Sequence, residues 1–563
     1  MRNETAHFSQ VPRAEIQRSR FDRSNRHLTT WNAGELIPIY CDEILPGDTV
    51  SLDMASLVRM STPIFSVMDN AFMDVYFFFV PNRLVWEHWK EFNGENVDGY
   101  WTQTTEYNVP QLIAPANGWT KGSLADHFEL PINVADFEVT ALPFRGYVKI
   151  WNEWFRDQNY MPAAYFSKDD SNRVGAPRLT SPLDINTEII PVTTAMLGGG
   201  VLPVAKTHDY FTSVLPAPQK GPAVGVPFVS GDLPVTTMAK YIPEQNENYP
   251  SMRWQYNGGG LVTQANSFVG VATDGSSIIR TSDAGNTAGN SGVLPANLWV
   301  QLANVDVGTI NELRMAFQIQ KLYEKDALGG SRYTEILKHH FGVTSPDSRL
   351  QRPEYLGGKR IPINIDQVVQ TSSTNNTSPQ GNTAAFSLTV DRDSMFTKSF
   401  TEHGYIFGLA CIRTDHTYQQ GVDRFWSRKR RFDFYWPALA HIGEQAVLKK
   451  EILCTGDDSD NNAFGYQEAW ADYRFKPSHV TGAFRSDYDE SLDSWHYADV
   501  FAPINPAEFV ADAQFMRETR KNVDRTLAVG SSLEDQFYGD FYFKSIWTRP
   551  MPVYSVPGLI DHF

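Results

Sequence analysis

The densest chemistry-bearing segment is Arg424–Arg431 (RFWSRKRR). It sets five cations, Arg424, Arg428, Lys429, Arg430 and Arg431, around Phe425 and Trp426 within eight residues. Cations neutralise phosphates and rings stack on unpaired bases, so this composition suits a single-stranded nucleic acid. It equally suits a contact with an acidic neighbouring subunit, and the linear sequence leaves both open. Residues 1–30 carry six more arginines, Arg2, Arg13, Arg18, Arg20, Arg23 and Arg26, against Glu4, Glu15 and Asp22. The 563-residue chain has a net charge of −16, so the rest of it is more acidic still. A basic arm on an acidic body is the asymmetry of a protein with one face toward nucleic acid; the plain alternative is a solvated terminus.

Other chemistries find less support. Asp457, Ser459, Asn461 and Glu468 place oxygen ligands at positions 1, 3, 5 and 12 of a calcium-loop-like stretch. Its sixth position is Asn462 where glycine is usual, and an acidic surface loop is the alternative. Gly289–Gly292 (GNSG) is a faint match to a serine-hydrolase turn. His339 and His340 are sequence neighbours, which do not face each other on a helix. No phosphate-cradling glycine motif and no His-Glu-x-x-His occurs. No cofactor is implied. A carbohydrate-processing or carbohydrate-binding all-β protein is the alternative that composition leaves, but acid pairs such as Asp489–Glu490 nominate no cleft.

These residues must be positioned by a mostly β framework. Leu36–Tyr40 reads as an edge strand, because Pro38 cannot donate to a ladder. Ala71–Val80 (AFMDVYFFFV) reads as a buried strand, and strands follow at 384–390, 405–413 and 432–436. Helical spacing of aromatic residues occurs in 83–92 and 144–155, and a helix starts after the Thr309–Glu312 capping box, breaks at Gly329-Gly330 and resumes over Tyr333–His340. Residues 171–300 hold only 15 charged residues and read as one large insertion, whose part 228–300 suits an exposed knob. Many strands, few helices and no alternation of the two predict an all-β double sheet rather than an α/β fold. Length alone suggests several domains.

Cys41, Cys411 and Cys454 are three widely spaced cysteines, which give no disulfide framework and point to assembly in a reducing cytoplasm. The N-terminus lacks an apolar signal core, and the longest apolar run, Val75–Val80, is far short of the ~20 residues that span a bilayer. Neither secretion nor membrane insertion is expected. Aromatic residues make up 13% of the chain, which suits either a large core or extensive contact surface.

Several stretches, in order, resemble the major capsid proteins of gokushoviruses, the small single-stranded DNA phages of the Microviridae. They are Phe21–Ser24 (FDRS), Thr29-Thr30, Asn32–Pro38 (NAGELIP), Leu45–Thr49 (LPGDT), His208–Ser213 (HDYFTS), Leu215–Pro222 (LPAPQKGP), Gly465–Arg474 (GYQEAWADYR), Lys476–Ser478 (KPS) and Pro552–His562 (PVYSVPGLIDH). The resemblance implies a viral jelly roll, an eight-stranded antiparallel β-sandwich with long inserted loops and a few helices. It implies a non-enzymatic virion protein, assembled in the bacterial cytoplasm, whose sixty copies form a T=1 shell around circular single-stranded DNA. A DNA pilot protein, an internal scaffolding protein and a host receptor become possible partners, with residues 228–300 as a host-attachment protrusion. The expected organisation is a basic arm (1–30), a first core segment (31–170), an insertion (171–305) and a second core segment with a C-terminal extension (306–563). On this reading the eleven cations named above line the interior.

Overall fold

A computed structural model describes residues 16–95, 105–178, 192–222, 224, 310–330, 332–372, 374, 379–381, 383–501 and 509–554, with the backbone of short strands between 235 and 300. Two compact units are formed, one by Met1–Lys220 with Glu324–Phe563 and the other by Gly221–Tyr323. The second contributes paired short strands, among them Ser267–Val271 with Ser277–Thr281.

The first unit is built on nine strands: β1 (Ser19–Asp22), β2 (Asn25–Trp31), β3 (Ile37–Ile44), β4 (Thr49–Met60), β5 (Ala71–Pro81), β6 (Glu354–Pro362), β7 (Thr389–Ser399), β8 (Gly404–Thr414) and β9 (Phe537–Arg549). β1 and β2 both pair with β9, so they act as one strand interrupted at Arg23-Ser24. The first sheet runs β1/β2–β9–β4–β7 and the second β6–β5–β8–β3, with every pairing antiparallel. From β2 to β5 the chain alternates between the sheets. It stays in the second from β5 to β6, then alternates again to β9. That strand order is the jelly roll, left open at its edges rather than closed into a barrel. β3 lies at the edge of its sheet, where Pro38 costs no ladder bond.

Side-chain alternation shows why the sandwich closes. On β4, Val50, Leu52, Met54, Val58 and Met60 are buried while Asp53 and Arg59 are not; on β9, Phe537, Phe541, Phe543 and Trp547 are buried while Tyr542 and Lys544 are exposed. Phe543 bridges the layers, its ring 4.9 Å from Tyr40 and 6.4 Å from Phe77. β5 and β8 are apolar on both faces because the second sheet is also covered from outside. The cover is helix α1 (Leu142–Ile150), which continues as a π-turn through Phe155. There Phe155 packs on Tyr76 and Phe78, and Gly146 lets the helix approach Phe407 so closely that a Cβ would sit 2.5 Å from the ring.

Most predicted elements are present, with instructive exceptions. Residues 83–92 form only a 3-10 turn (Asn82–Leu84) and a single helical turn (Trp89–Phe92), while 384–390 divides between Thr383–Ser387 and β7. The run 432–436 is not a strand: 3-10 turns at Arg431–Asp433 and Pro437–Leu439 flank it, and its rings are exposed on no sheet. Within the expected basic arm 1–30, residues 19–22 and 25–30 belong to framework strands. Helices α2 (Ile310–Gly329) and α3 (Tyr333–Phe341) follow the predicted break; Thr309 and Gly289–Gly292 lie outside the described residues.

Candidate nucleic-acid interface

The outward face of the first sheet is the first candidate. Register aligns Arg26, Tyr542, Ala55 and Arg392 in one row across β2, β9, β4 and β7. The neighbouring row is Leu28, Asp540, Leu57 and Val390, and the next brings Thr30, Tyr538 and Arg59 together. Arg20, Arg26, Arg59, Arg392 and Lys544 are exposed on this face. Arg26 is held by a bidentate pair to Asp540, at 2.6 and 2.5 Å. A pocket of about 500 Å³ opens beside it, lined by Arg26, Leu28, Arg59, Tyr538 and Asp540 together with His127. Burial holds the His127 imidazole neutral, its pKa lowered to about 4.

The predicted arm arginines divide by role. Arg20 projects from β1 with no ion pair among the described residues. Arg18 bonds the Gly47 carbonyl and the Thr49 hydroxyl. Arg23 pairs with Asp42 at 3.0 Å and lies 4.8 Å over the Trp547 ring, which ties the strand interruption to the core edge. Arg2 and Arg13 lie outside the described residues.

The Arg424–Arg431 segment is the second candidate, and the structure separates its cations. Arg424 Nη1 donates to the Ala446 carbonyl (2.7 Å) and to Glu451 (3.1 Å), which also accepts from the Tyr210 hydroxyl at 3.1 Å. Burial raises the Glu451 pKa, and Arg424 opposes that rise. Arg428 bonds Asp472, with its guanidinium 4.2 Å from the Tyr473 ring. These two arginines fasten the loop. Lys429, Arg430 and Arg431 are exposed and make no salt bridge among the described residues. Asp433, two residues past Arg431, accepts from the backbone N–H groups of Lys429 (2.8 Å) and Arg430 (2.7 Å), so its charge is engaged by the loop itself.

Around these cations lies a dense surface of rings. Trp426 is 72% and Phe432 70% exposed, and Phe425, Phe434, Tyr435 and Trp436 are exposed as well. Arg431 lies 4.8 Å from the Trp436 ring, whose Nε1 donates to the Arg431 carbonyl. Beneath the loop, Trp470 adopts φ 66°, a costly left-handed conformation for so bulky a residue. Its Nε1 bond to the Leu439 carbonyl (2.8 Å) and its edge contact with Tyr435 hold it there. The segment is thus a fixed platform of rings and cations, the arrangement that stacks unpaired bases and neutralises their phosphates.

The calcium-loop residues do not form a ligand cage. Asn461 accepts from Lys450 Nζ at 2.8 Å, and Glu468 closes the strand Ala463–Glu468, where it bonds Arg474. Asp457 opens a 3-10 turn, Asp458–Asn461, that contains Ser459. The loop is organised instead by Asp460, which accepts from Thr455 N, Thr455 Oγ1 and Gly456 N; these bonds outweigh desolvation and lower its pKa. Among the described residues no three His, Cys, Asp or Glu side chains converge as metal ligands.

The model of the family described as "Capsid protein (F protein)" matches residues 9–559. The capsid protein VP1 of Bdellovibrio phage phiMH2K is 41% identical over 562 residues, covering 99% of this chain and 98% of that protein. VP1 of Chlamydia phage 1 is 40% identical over 595 residues (98% and 97%), and VP1 of Spiroplasma virus 4 is 41% identical over 556 residues (98% and 97%). The chain belongs to the phage F capsid protein family.

It is therefore a major phage capsid protein and a virion component, and the gokushovirus resemblance is borne out. A capsid protein assembles with copies of itself into a shell around a viral genome. The carbohydrate alternative is not favoured by these relatives. No helix among the described residues is long and apolar enough to cross a membrane. For this capsid protein, sequence reasoning found the cations at 424–431 but missed Phe432, Phe434 and Trp436 as partners, having read them as strand. It also missed Arg59, Arg392 and Lys544. Only pairing between distant strands sets these three on one face with Arg26.

Proposed function

We propose that this capsid protein forms a T=1 shell of sixty copies around circular single-stranded DNA and acts without catalysis. On this reading the loop 425–436 stacks unpaired bases of the genome. The observation that carries it is the exposed ring surface around Lys429, Arg430 and Arg431, which form no salt bridge among the described residues. The outward face of the first sheet, with Arg20, Arg26, Arg59, Arg392 and Lys544, is the second DNA-facing surface. Residues 228–300 serve host attachment, and a pilot or internal scaffolding protein joins the assembly.

The test is the triple charge reversal Lys429→Glu, Arg430→Glu and Arg431→Glu. Particles should form but carry less DNA, read as a lower ratio of absorbance at 260 nm to that at 280 nm. Binding of the unassembled subunit to single-stranded DNA should lose about 0.7 in salt slope per cation removed. If assembly stops before packaging, with DNA affinity unchanged, the loop is an inter-subunit contact instead.

A further inference from the structure

A cavity of about 360 Å³ opens between the segment Asp423–Arg428 and the run Asp472–Pro477, with the buried Tyr210 and Phe211 in its lining. Sites for small ligands have about this size, apolar walls and a few placed polar groups. The walls here are rings: Phe425, Tyr473 and Phe475 are 47, 51 and 56% exposed. Phe425 leans on Trp426, with ring centroids 4.8 Å apart, and Tyr473 carries the Arg428 guanidinium at 4.2 Å. Phe475 makes no ring contact among the described residues, so its faces are free to take a flat partner. The acids of the lining are already matched. Asp423 is bonded to His479 (2.7 Å), Glu451 to Arg424 (3.1 Å) and Asp472 to Arg428. Arg428 is nine-tenths buried, and its Nε has no hydrogen-bond partner. Beside these pairs Lys476 is exposed and makes no salt bridge among the described residues. The cavity therefore offers half-covered rings next to an unmatched cation.

We propose that this cavity receives the base of a single nucleotide of the genome strand, stacked on Phe475, with the adjoining phosphate at Lys476. The inference rests on the reading that the loop 425–436 meets single-stranded DNA, and it adds a nucleotide-sized site built from residues outside that loop. A phosphate alone would leave the rings uncovered, and a purely apolar ligand would leave Lys476 unused; a nucleotide engages both. Phe425 belongs to the cavity wall and to the ring surface of the loop alike. A strand lying across the loop thus reaches the cavity without a break. Turning a base out of line costs least when it is unpaired, as it is in a single strand.

The unassembled full-length subunit is titrated with a single-stranded oligonucleotide of about twelve bases and with an abasic strand of the same length and charge. Phe475→Ala should weaken binding of the first about tenfold and leave the second unchanged, with the circular dichroism of the wild type. Phe475→Tyr keeps a ring and should bind like the wild type. No loss on the base-bearing strand, or an equal loss on both strands, would overturn the proposal. A second measurement needs no variant. Particles grown with 5-bromodeoxyuridine are irradiated, and the cross-linked peptides are identified by mass spectrometry. Adducts on Tyr473 or Phe475 are expected. Adducts confined to Trp426 and Trp436 would overturn the cavity while upholding the loop reading, and adducts on neither segment would overturn both.

Discussion

A buried polar network joins segments distant in sequence at the single residue His416. Its Nδ1 lies 3.1 Å from Asp499 and its Nε2 3.1 Å from Glu518; Lys206 and Asn522 complete the shell of Asp499, and the Thr414 hydroxyl donates to Glu518. Desolvation alone would lower the imidazole pKa, but Glu518 and Asp499 outweigh it and push it up to about 9. A folded pKa above the unfolded value contributes stability that is full below about pH 6.5 and is lost as pH rises through about 9. Asp499 is shifted the other way: burial opposes ionisation, Lys206 and His416 overcome it, and its contribution is lost only in strong acid. His416→Ala leaves two buried carboxylates without their shared cation and should cost roughly 3–5 kcal/mol. The thermal midpoint of the unassembled wild-type subunit should fall between pH 6.5 and 9, and that of the variant should be flatter there. Parallel pH profiles would refute the assignment.

At the scale of elements, the sandwich depends on rings that reach between its sheets and on one tight turn between β2 and β3. Phe543→Ala should destabilise the subunit by about 3–5 kcal/mol, since the cavity would open between Tyr40 and Phe77. Gly34 has φ 80°, and a Cβ there would sit 2.4 Å from the Glu518 carbonyl oxygen. Gly34→Ala is thus both strained and clashing, and should lose at least 1 kcal/mol in denaturant unfolding, roughly the cost of such strain alone. Much of this level was legible from residue order. The unbroken apolar run marks β5 and the ring spacing within 144–155 marks the covering helix; β4 and β9 alternate in burial with period two, but the sequence reading predicts no strand at either. The run Phe432–Trp436 misled because aromatic density matches a strand equally well; its rings follow no ladder, and Asp433 ties the segment into a turn. Pairing was legible least. β2 and β9 are neighbours across some five hundred residues of chain, and no local pattern encodes that partnership. The motif resemblance supplied the strand order that periodicity could not.

For the whole molecule, the charge of −16 is an average over unlike surfaces. Cations gather on the outward face of the first sheet and on the loop 425–436, while Arg424 and Arg428, equally prominent in sequence, are absorbed by Glu451 and Asp472. Exposed rings are liabilities for a solitary protein and working surfaces for a shell subunit. Removing residues 1–15 should lower DNA content without unfolding the subunit, because it leaves the pairing of Ser19–Asp22 with β9 intact. A deletion through Asp22 should destabilise the subunit itself, as circular dichroism melts of the two truncations would show. The measurement that reaches the central claim most directly is a cryo-electron microscopy map of intact particles. It should show sixty copies, with nucleotide density stacked against Trp426 and Trp436 on the inner surface. A loop 425–436 packed wholly against a neighbouring copy, or facing outward with no nucleic acid beside it, would contradict the account.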